Sequence, residues 1–250
     1  MTRRRPMATR NRPSGTVSMR RIFLASLMTI AILILAYQLW IFFRVVYYNF
    51  QPPGQTAIMR QELSRLREDD PDAKLRYTWV DYSRISASLK RAVVASEDAN
   101  FMGHGGVEWE AVRRAWEYNQ SQAEQGRARM RGGSTISQQL AKNLFLSGSR
   151  TYLRKGQEMV IAYMIEHVMS KERILELYLN VAEWGEGVFG AEAAAQHYYL
   201  TSAANLGVAQ SARLAVMLPN PRFYDNRGVT RYLSSRSASV QRWMRDVAIP

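Results

Sequence analysis

Apolar residues follow two kinds of pattern along this chain. From Ile22 to Phe43 they form a run of 22 residues with no charge, interrupted strongly only by Gln38. At about 1.5 Å per residue such a helix reaches roughly 30 Å, the thickness of a bilayer's hydrocarbon core. The run therefore predicts one membrane-spanning helix, with Trp40, Phe42, Phe43, Tyr47 and Tyr48 as an interfacial aromatic belt. It is too long for a signal peptide and lacks a small-residue cleavage site. After Pro52, Pro53 and Gly54 the pattern changes. Tyr77 to Ile85 alternates and reads as extended. Helical period follows over Ser86–Ala99, Glu108–Asn119, Ile136–Leu146, Arg154–Met169, Lys171–Val181, Val188–Tyr199, Ala203–Met217 and Val229–Val247. The class expected is mainly α, with a tail over 1–21, a span over 22–43, a membrane-proximal connector over 44–76 and one domain over 77–250.

Charge adds an orientation. The net charge is +13 over 250 residues, and residues 1–21 hold seven arginines and no acid, leaving +6 for the remainder. By the positive-inside rule the arginine tail is cytoplasmic and everything after about residue 44 lies across the inner membrane. Beside a membrane span, topology and anionic headgroups account for the tail, so no nucleic-acid partner is expected. Cysteine is absent, which removes thiol catalysis and thiolate metal sites. The three histidines, His104, His167 and His197, form no HExxH pair, so no protein-built zinc site is expected.

Candidate chemistry centres on Arg131 to Asn143, RGGSTISQQLAKN. Thr135 and Gln138 fit a capping box, which starts a helix near Ile136. Ile136, Leu140 and Leu144 then face a core, while Thr135, Gln139 and Lys142 share a polar face. A helix N-terminus with a lysine two turns on is a plausible anion cradle; the plain alternative is a solvated stripe. Two acidic stretches flank it. Glu97 and Asp98 end an apolar helix, where the dipole disfavours acids, so either a cation compensates or the position serves chemistry. Phe101 reads as core, and His104 as a turn residue bonded to Glu97 or Asp98. Further on, Glu158, Ala162 and Glu166 recur every four residues in an apolar helix. Arg154 and Glu158, spaced i,i+4, could simply pair; otherwise Arg154 and Lys155 add two cations to the cradle.

These residues carry a resemblance. Glu97-Asp98-x-x-Phe101-x-x-His104-x-Gly106, Gly132-Gly133-Ser134-Thr135-Ile136-Ser137-Gln138-Gln139-Leu140-Ala141-Lys142-Asn143, Arg154-Lys155-x-x-Glu158, Lys171-x-x-Ile174-Leu175-Glu176-x-Tyr178-Leu179-Asn180 and Gly185-x-Gly187-x-x-Gly190 occur in that order. Leu218-Pro219-Asn220-Pro221 follows. The chain resembles the peptidoglycan glycosyltransferases of family 51 and, among them, the monofunctional biosynthetic transglycosylases. The resemblance implies a lysozyme-like glycosyltransferase domain that polymerises lipid II outside the cytoplasmic membrane, the 4-hydroxyl of an acceptor attacking the sugar C1 of a lipid-pyrophosphate donor with inversion. It makes Glu97 the general base and Glu158 a second carboxylate, assisting at the donor or binding a divalent ion, Mg or Mn, although no cofactor is required. It puts Lys142, Arg154 and Lys155, with Thr135 and Gln139, on the pyrophosphate, and Asp98, Phe101, His104, Ser134, Gln138 and Asn143 among the substrate-binding residues. Partners implied are lipid II, the lipid-linked glycan strand and the membrane, with other cell-wall synthases as candidates.

The chemistry of these residue types agrees. Pyrophosphate leaves well once its charge is neutralised, so cations rather than an acid are the expected equipment. A hydroxyl nucleophile needs a base, and a carboxylate serves best with its pKa raised by partial burial. Departures from the family pattern are Glu108 where Asp is common, Ser137 for Thr and Tyr199 for Phe. Gln120 to Met130, with Arg127 and Arg129, reads as a mobile loop, and Trp109, Val112 and Trp116 as a helical stripe in the core, with the bilayer as alternative. A lysozyme-like hydrolase or lytic enzyme is the nearest rival, but a neutral glycan gives it no use for three cations. A non-catalytic cell-wall scaffold is the other. A second, SxxK-type activity is not expected, since neither SxxK nor KTG occurs.

Overall fold

The computed structural model describes residues 19–127, 132–149 and 151–250. The first eighteen residues of the arginine tail, Arg129 and the last residues of the expected mobile loop lie outside these. The chain divides into two compact units, one ending at Trp40 and the other spanning Ile41–Pro250. The first is the apolar part of α1 (Met19–Phe50), whose side chains are almost all exposed along the segment predicted to span a membrane.

The second unit is mainly α. It contains the end of α1, then α2 (Ala57–Asp69), α3 (Ala87–Glu97), α4 (Trp109–Glu124), α5 (Ile136–Phe145), α6 (Tyr152–Val168), α7 (Lys171–Val181), α8 (Ala191–Tyr199), α9 (Val208–Met217), α10 (Pro221–Arg227) and α11 (Arg231–Trp243). Short 3-10 turns lie at 82–84, 101–103 and 203–205. Serine or threonine starts many of these helices. The side chains of Thr56, Ser86, Thr135, Thr151, Ser170 and Thr230 each accept the third N–H of the helix that follows, each cap contributing about 1 kcal/mol.

The core is built round α7, where every residue from Ile174 to Val181 except Glu176 is buried. Trp184, Tyr178, Phe101 and Phe189 are its largest fully enclosed side chains. Asn180 is the polar pin of this core: its amide donates to the carbonyls of Val80 and Glu176 and accepts the Val80 N–H, each at 2.9 Å. Around α7, α5 packs against α6 and α2, while α3 packs against α9 and α11.

Three departures from the sequence reading matter. First, the expected connector 44–76 is largely helical. Helix α1 continues to Phe50, with Ile41, Val45 and Tyr48 buried, and α2 follows. Tyr48 is therefore not in an interfacial belt; it packs on Phe145, and its carbonyl accepts two hydrogen bonds from Arg173, at 3.0 and 2.7 Å. Second, the helix expected from Val188 starts only at Ala191. Arg76–Tyr77 (β1), Glu183–Gly185 (β2) and Val188–Phe189 (β3) form a small sheet in the order β1-β3-β2, parallel between β1 and β3 and antiparallel between β3 and β2. Gly187 and Gly190 have φ of +67° and +85°, values that break a helix and suit glycine. At Gly190 a Cβ would sit 2.7 Å from the Asn180 carbonyl oxygen. Third, Gln120–Glu124 belong to α4 instead of a loop, and Trp109 and Trp116 face outward, 58% and 72% exposed, instead of filling the core.

Candidate active site

Consecutive acids at the end of α3 have opposite fates. Glu97 is the last helical residue, whereas Asp98 leaves the helix in an extended conformation and turns inward. One Asp98 oxygen accepts the Ile136 N–H at 2.9 Å, and the His104 Nε2 lies 2.9 Å from both oxygens. The anion at the N-terminus of α5 is thus the protein's own carboxylate, where the dipole favours it. Thr135 Oγ1 accepts the Gln138 N–H at 3.2 Å and donates to the Gly106 carbonyl at 2.6 Å, while Gln138 Oε1 accepts the Thr135 N–H at 3.0 Å.

At the start of α5, where the phosphate cradle was expected, the structure thus places Asp98. Thr135, Gln138, Asp98, Phe101 and Asn143 are all buried, and the His104 side chain is 5% exposed. In this structure they frame the site from beneath its surface. The capping box was legible in the sequence; its neighbour Asp98, 38 residues away from Ile136, was not.

Glu97 remains accessible at the edge of this frame. Its carboxylate accepts from Gln139 Nε2 at 2.9 Å, and Gln139 Oε1 accepts from the Tyr178 hydroxyl at 2.9 Å. The chain Tyr178–Gln139–Glu97 fixes the carboxylate's direction. Burial raises the Glu97 pKa above the ordinary 4.5; the Gln139 bond works against the rise, neighbouring Asp98 adds to it, and Arg236 and Lys142 oppose it.

Gln139 also faces a groove of about 950 Å³. Lys142 from α5, Ser134 before it, and Arg154, Lys155 and Glu158 from α6 line the same groove. Glu158 is buried, and Arg154 donates to it at 2.6 Å. Lys155 pairs with its other oxygen and donates to Ser134 Oγ at 2.7 Å. Lys142 differs from these two cations. It has no ion pair or hydrogen bond among the described residues, although Glu158 and Glu183 lie within electrostatic reach. Burial lowers its pKa, an effect that Glu158 opposes. An unpaired, part-buried ammonium beside two paired cations is suited to receive an anion.

The sequence reading missed the groove's other wall. Ile58, Gln61, Glu62 and Arg65 of α2, Glu183 of β2 and Arg222 of α10 line it. Glu62 is held between Arg65, at 2.9 Å, and Arg222, at 2.6 Å; Arg222 also binds Glu183 at 2.6 Å, and Arg65 binds Glu186. These partners lie up to 160 residues apart in the chain, and no local spacing announces them. The second acid of the α6 series, Glu166, bonds Ser137 and Lys171 instead.

The donor set round Glu158 does not fit a divalent ion. Both of its oxygens are taken by cations, and among the described residues no three His, Asp or Glu side chains group as a metal site.

Comparison with known proteins agrees with this geometry. Residues 62–245 match the family described as Transglycosylase. The chain is 69% identical over 230 residues to the "Biosynthetic peptidoglycan transglycosylase" of Bordetella pertussis, covering 92% of this chain and 95% of that one. Proteins of the same name from Laribacter hongkongensis and a Janthinobacterium species are 56% identical over 218 residues (87% and 94% covered) and 53% identical over 232 residues (93% and 99% covered). With a match over most of its length, a helical domain of lysozyme-like class and a groove that pairs a glutamate with cations, this chain belongs to the transglycosylase family, among the monofunctional peptidoglycan glycosyltransferases.

Proposed function

We propose that the chain polymerises lipid II into β-1,4-linked glycan strands, with Glu97 as general base. The observation that carries this reading is the placing of Gln139, which bonds Glu97 on one side and lines the groove of Lys142, Arg154 and Lys155 on the other. The proton acceptor is thus one hydrogen-bonded side chain away from the anion site. Glu97 takes the proton of the acceptor's 4-hydroxyl, and the oxygen forms its bond to the donor's C1. The bond from C1 to the pyrophosphate oxygen breaks, and its electron pair leaves with undecaprenyl pyrophosphate. One displacement inverts the anomeric centre. Lys142 meets the developing charge directly, while Glu158 holds Arg154 and Lys155 in place beside it.

A raised Glu97 pKa suits a base working near neutral pH. A hydrolase acting on neutral glycan has no use for the unpaired ammonium of Lys142, so the cation cluster favours transfer from a pyrophosphate. The α1 segment is long and apolar enough to anchor the domain in a membrane, and the arginines before it support a cytoplasmic N-terminus with the groove on the periplasmic face of the inner membrane. Other cell-wall synthases, acting on the same polymer, are proposed partners.

The test is to supply lipid II to the purified protein and to its Glu97→Gln form and to resolve products by gel. Polymer is expected from the first and essentially none from the second. Equal polymer from both removes Glu97 from the base role.

A further inference from the structure

The five-membered chain of charges on the α2 side of the groove is not needed to build a base or an anion site, yet four of its members line the same space. Glu186, Arg65, Glu62, Arg222 and Glu183 alternate in sign along it. Its middle acid, Glu62, has a side chain only 1% exposed, and its last acid, Glu183, is 15% exposed. Arg222 grips Glu183 through two nitrogens, at 2.6 and 3.2 Å, which fixes a planar pair with little freedom to rotate. Glu183 and Lys142 line the same groove, and the carboxylate acts electrostatically on the ammonium.

We propose that Arg222 and Glu183 are positioning residues for the anion site: Arg222 holds the Glu183 carboxylate facing the groove so that it supports the charge of Lys142 from β2, and through Glu62 it fixes α2 as the groove's second wall. This rests on the reading of Lys142 as a pyrophosphate ligand. Lys142 then lies among Glu158, Arg154 and Lys155 from α6, Glu183 from β2 and Glu97 from α3, with Arg222 one carboxylate further away and Arg65 two. Burial alone would discharge such a lysine at alkaline pH and empty the site. Two carboxylates held by other cations keep it charged without closing on it, as a direct ion pair would. The consequence is an ammonium that is charged and still free to bind.

The test uses the full chain in detergent with inorganic pyrophosphate as probe, titrated by calorimetry from pH 6 to 11, beside lipid II polymerisation. In Glu183→Gln the loss of a nearby negative charge makes Lys142 easier to discharge, so the alkaline midpoint of pyrophosphate binding moves down by about one pH unit. In Arg222→Gln the freed Glu183 carboxylate closes on Lys142, so the midpoint moves up while pyrophosphate affinity falls, and Arg222→Lys, which keeps a charge beside Glu183, recovers part of both. Glu62→Gln raises KM for lipid II several-fold with kcat less affected. A role confined to holding the fold lowers Tm and leaves the midpoint where it was; that result in Glu183→Gln, the variant closest in shape, overturns the proposal. The two readings fail separately. Wild-type polymer with an unmoved midpoint in Glu183→Gln sinks the positioning network alone. A moved midpoint in a protein that never polymerises lipid II upholds the network and sinks the glycosyltransferase chemistry.

Discussion

Replacing Asp98 separates framework from contact surface more sharply than any other single change. In Asp98→Ala, the Ile136 N–H and the His104 ring each lose a buried acceptor now at 2.9 Å. Hydrogen bonds to a charged group contribute about 1.5–3 kcal/mol each, and an orphaned buried donor costs a similar amount. The two bonds together, with the favourable placing of an anion at the start of α5, give about 4 kcal/mol. For a domain of this size 1 kcal/mol moves Tm by roughly 2–4 °C, so a fall of roughly 8–16 °C is expected. The assay is a thermal melt of the detergent-purified protein by circular dichroism, beside lipid II kinetics at a temperature where the variant is folded. KM should stay within about twofold while kcat falls, because α5 carries Gln139 and Lys142 and its start is loosened. An unchanged Tm with a much higher KM would refute the reasoning and return Asp98 to the substrate.

Glu97→Gln should stabilise as it inactivates. The folded-state pKa of Glu97 is raised, so folding holds its proton more tightly and stability falls as pH climbs through that raised value. The gain in Tm should appear at pH 8 and vanish near pH 4, and the acidic limb of the wild-type rate profile should lie above pH 4.5. Lys142→Met removes an unpaired part-buried cation, so Tm should hold or rise while pyrophosphate affinity drops by about 10–100-fold, the value of one charged hydrogen bond; calorimetry and melts check both. Gly190→Ala forces a side chain into a positive-φ turn against the Asn180 carbonyl. A loss of about 2–5 kcal/mol should follow from strain and overpacking together, read as a lower Tm.

Where the chain signals its structure locally, the sequence was readable. The starts of α5 and α7 follow from caps and period, and Lys142, Arg154 and Lys155 are brought to one groove as their spacing suggested. Helix α2 was not readable because its inner face carries Glu62, buried only through Arg65 and Arg222; a hydrophobic period cannot register a buried charge whose partners come from elsewhere. The pair Glu97-Asp98 was read as one acidic site, yet a single change of backbone direction turns one side chain to Gln139 and the other under α5. The short sheet escaped for the opposite reason. Val188 and Phe189 are apolar enough for a helix, and only Gly187 and Gly190 on either side prevent one.

The last ten residues of α1 belong to the catalytic unit, with Ile41, Val45 and Tyr48 enclosed in it. A secreted, detergent-free version trimmed at residue 51 would discard three interior side chains. At about 2–5 kcal/mol for each large core side chain removed, the deletion rivals the roughly 5–15 kcal/mol that keeps a typical domain folded. Truncation should stop no later than residue 40, and the oily stub that remains has to be managed by solvent choice or surface substitution, since shortening it further dismantles the enzyme.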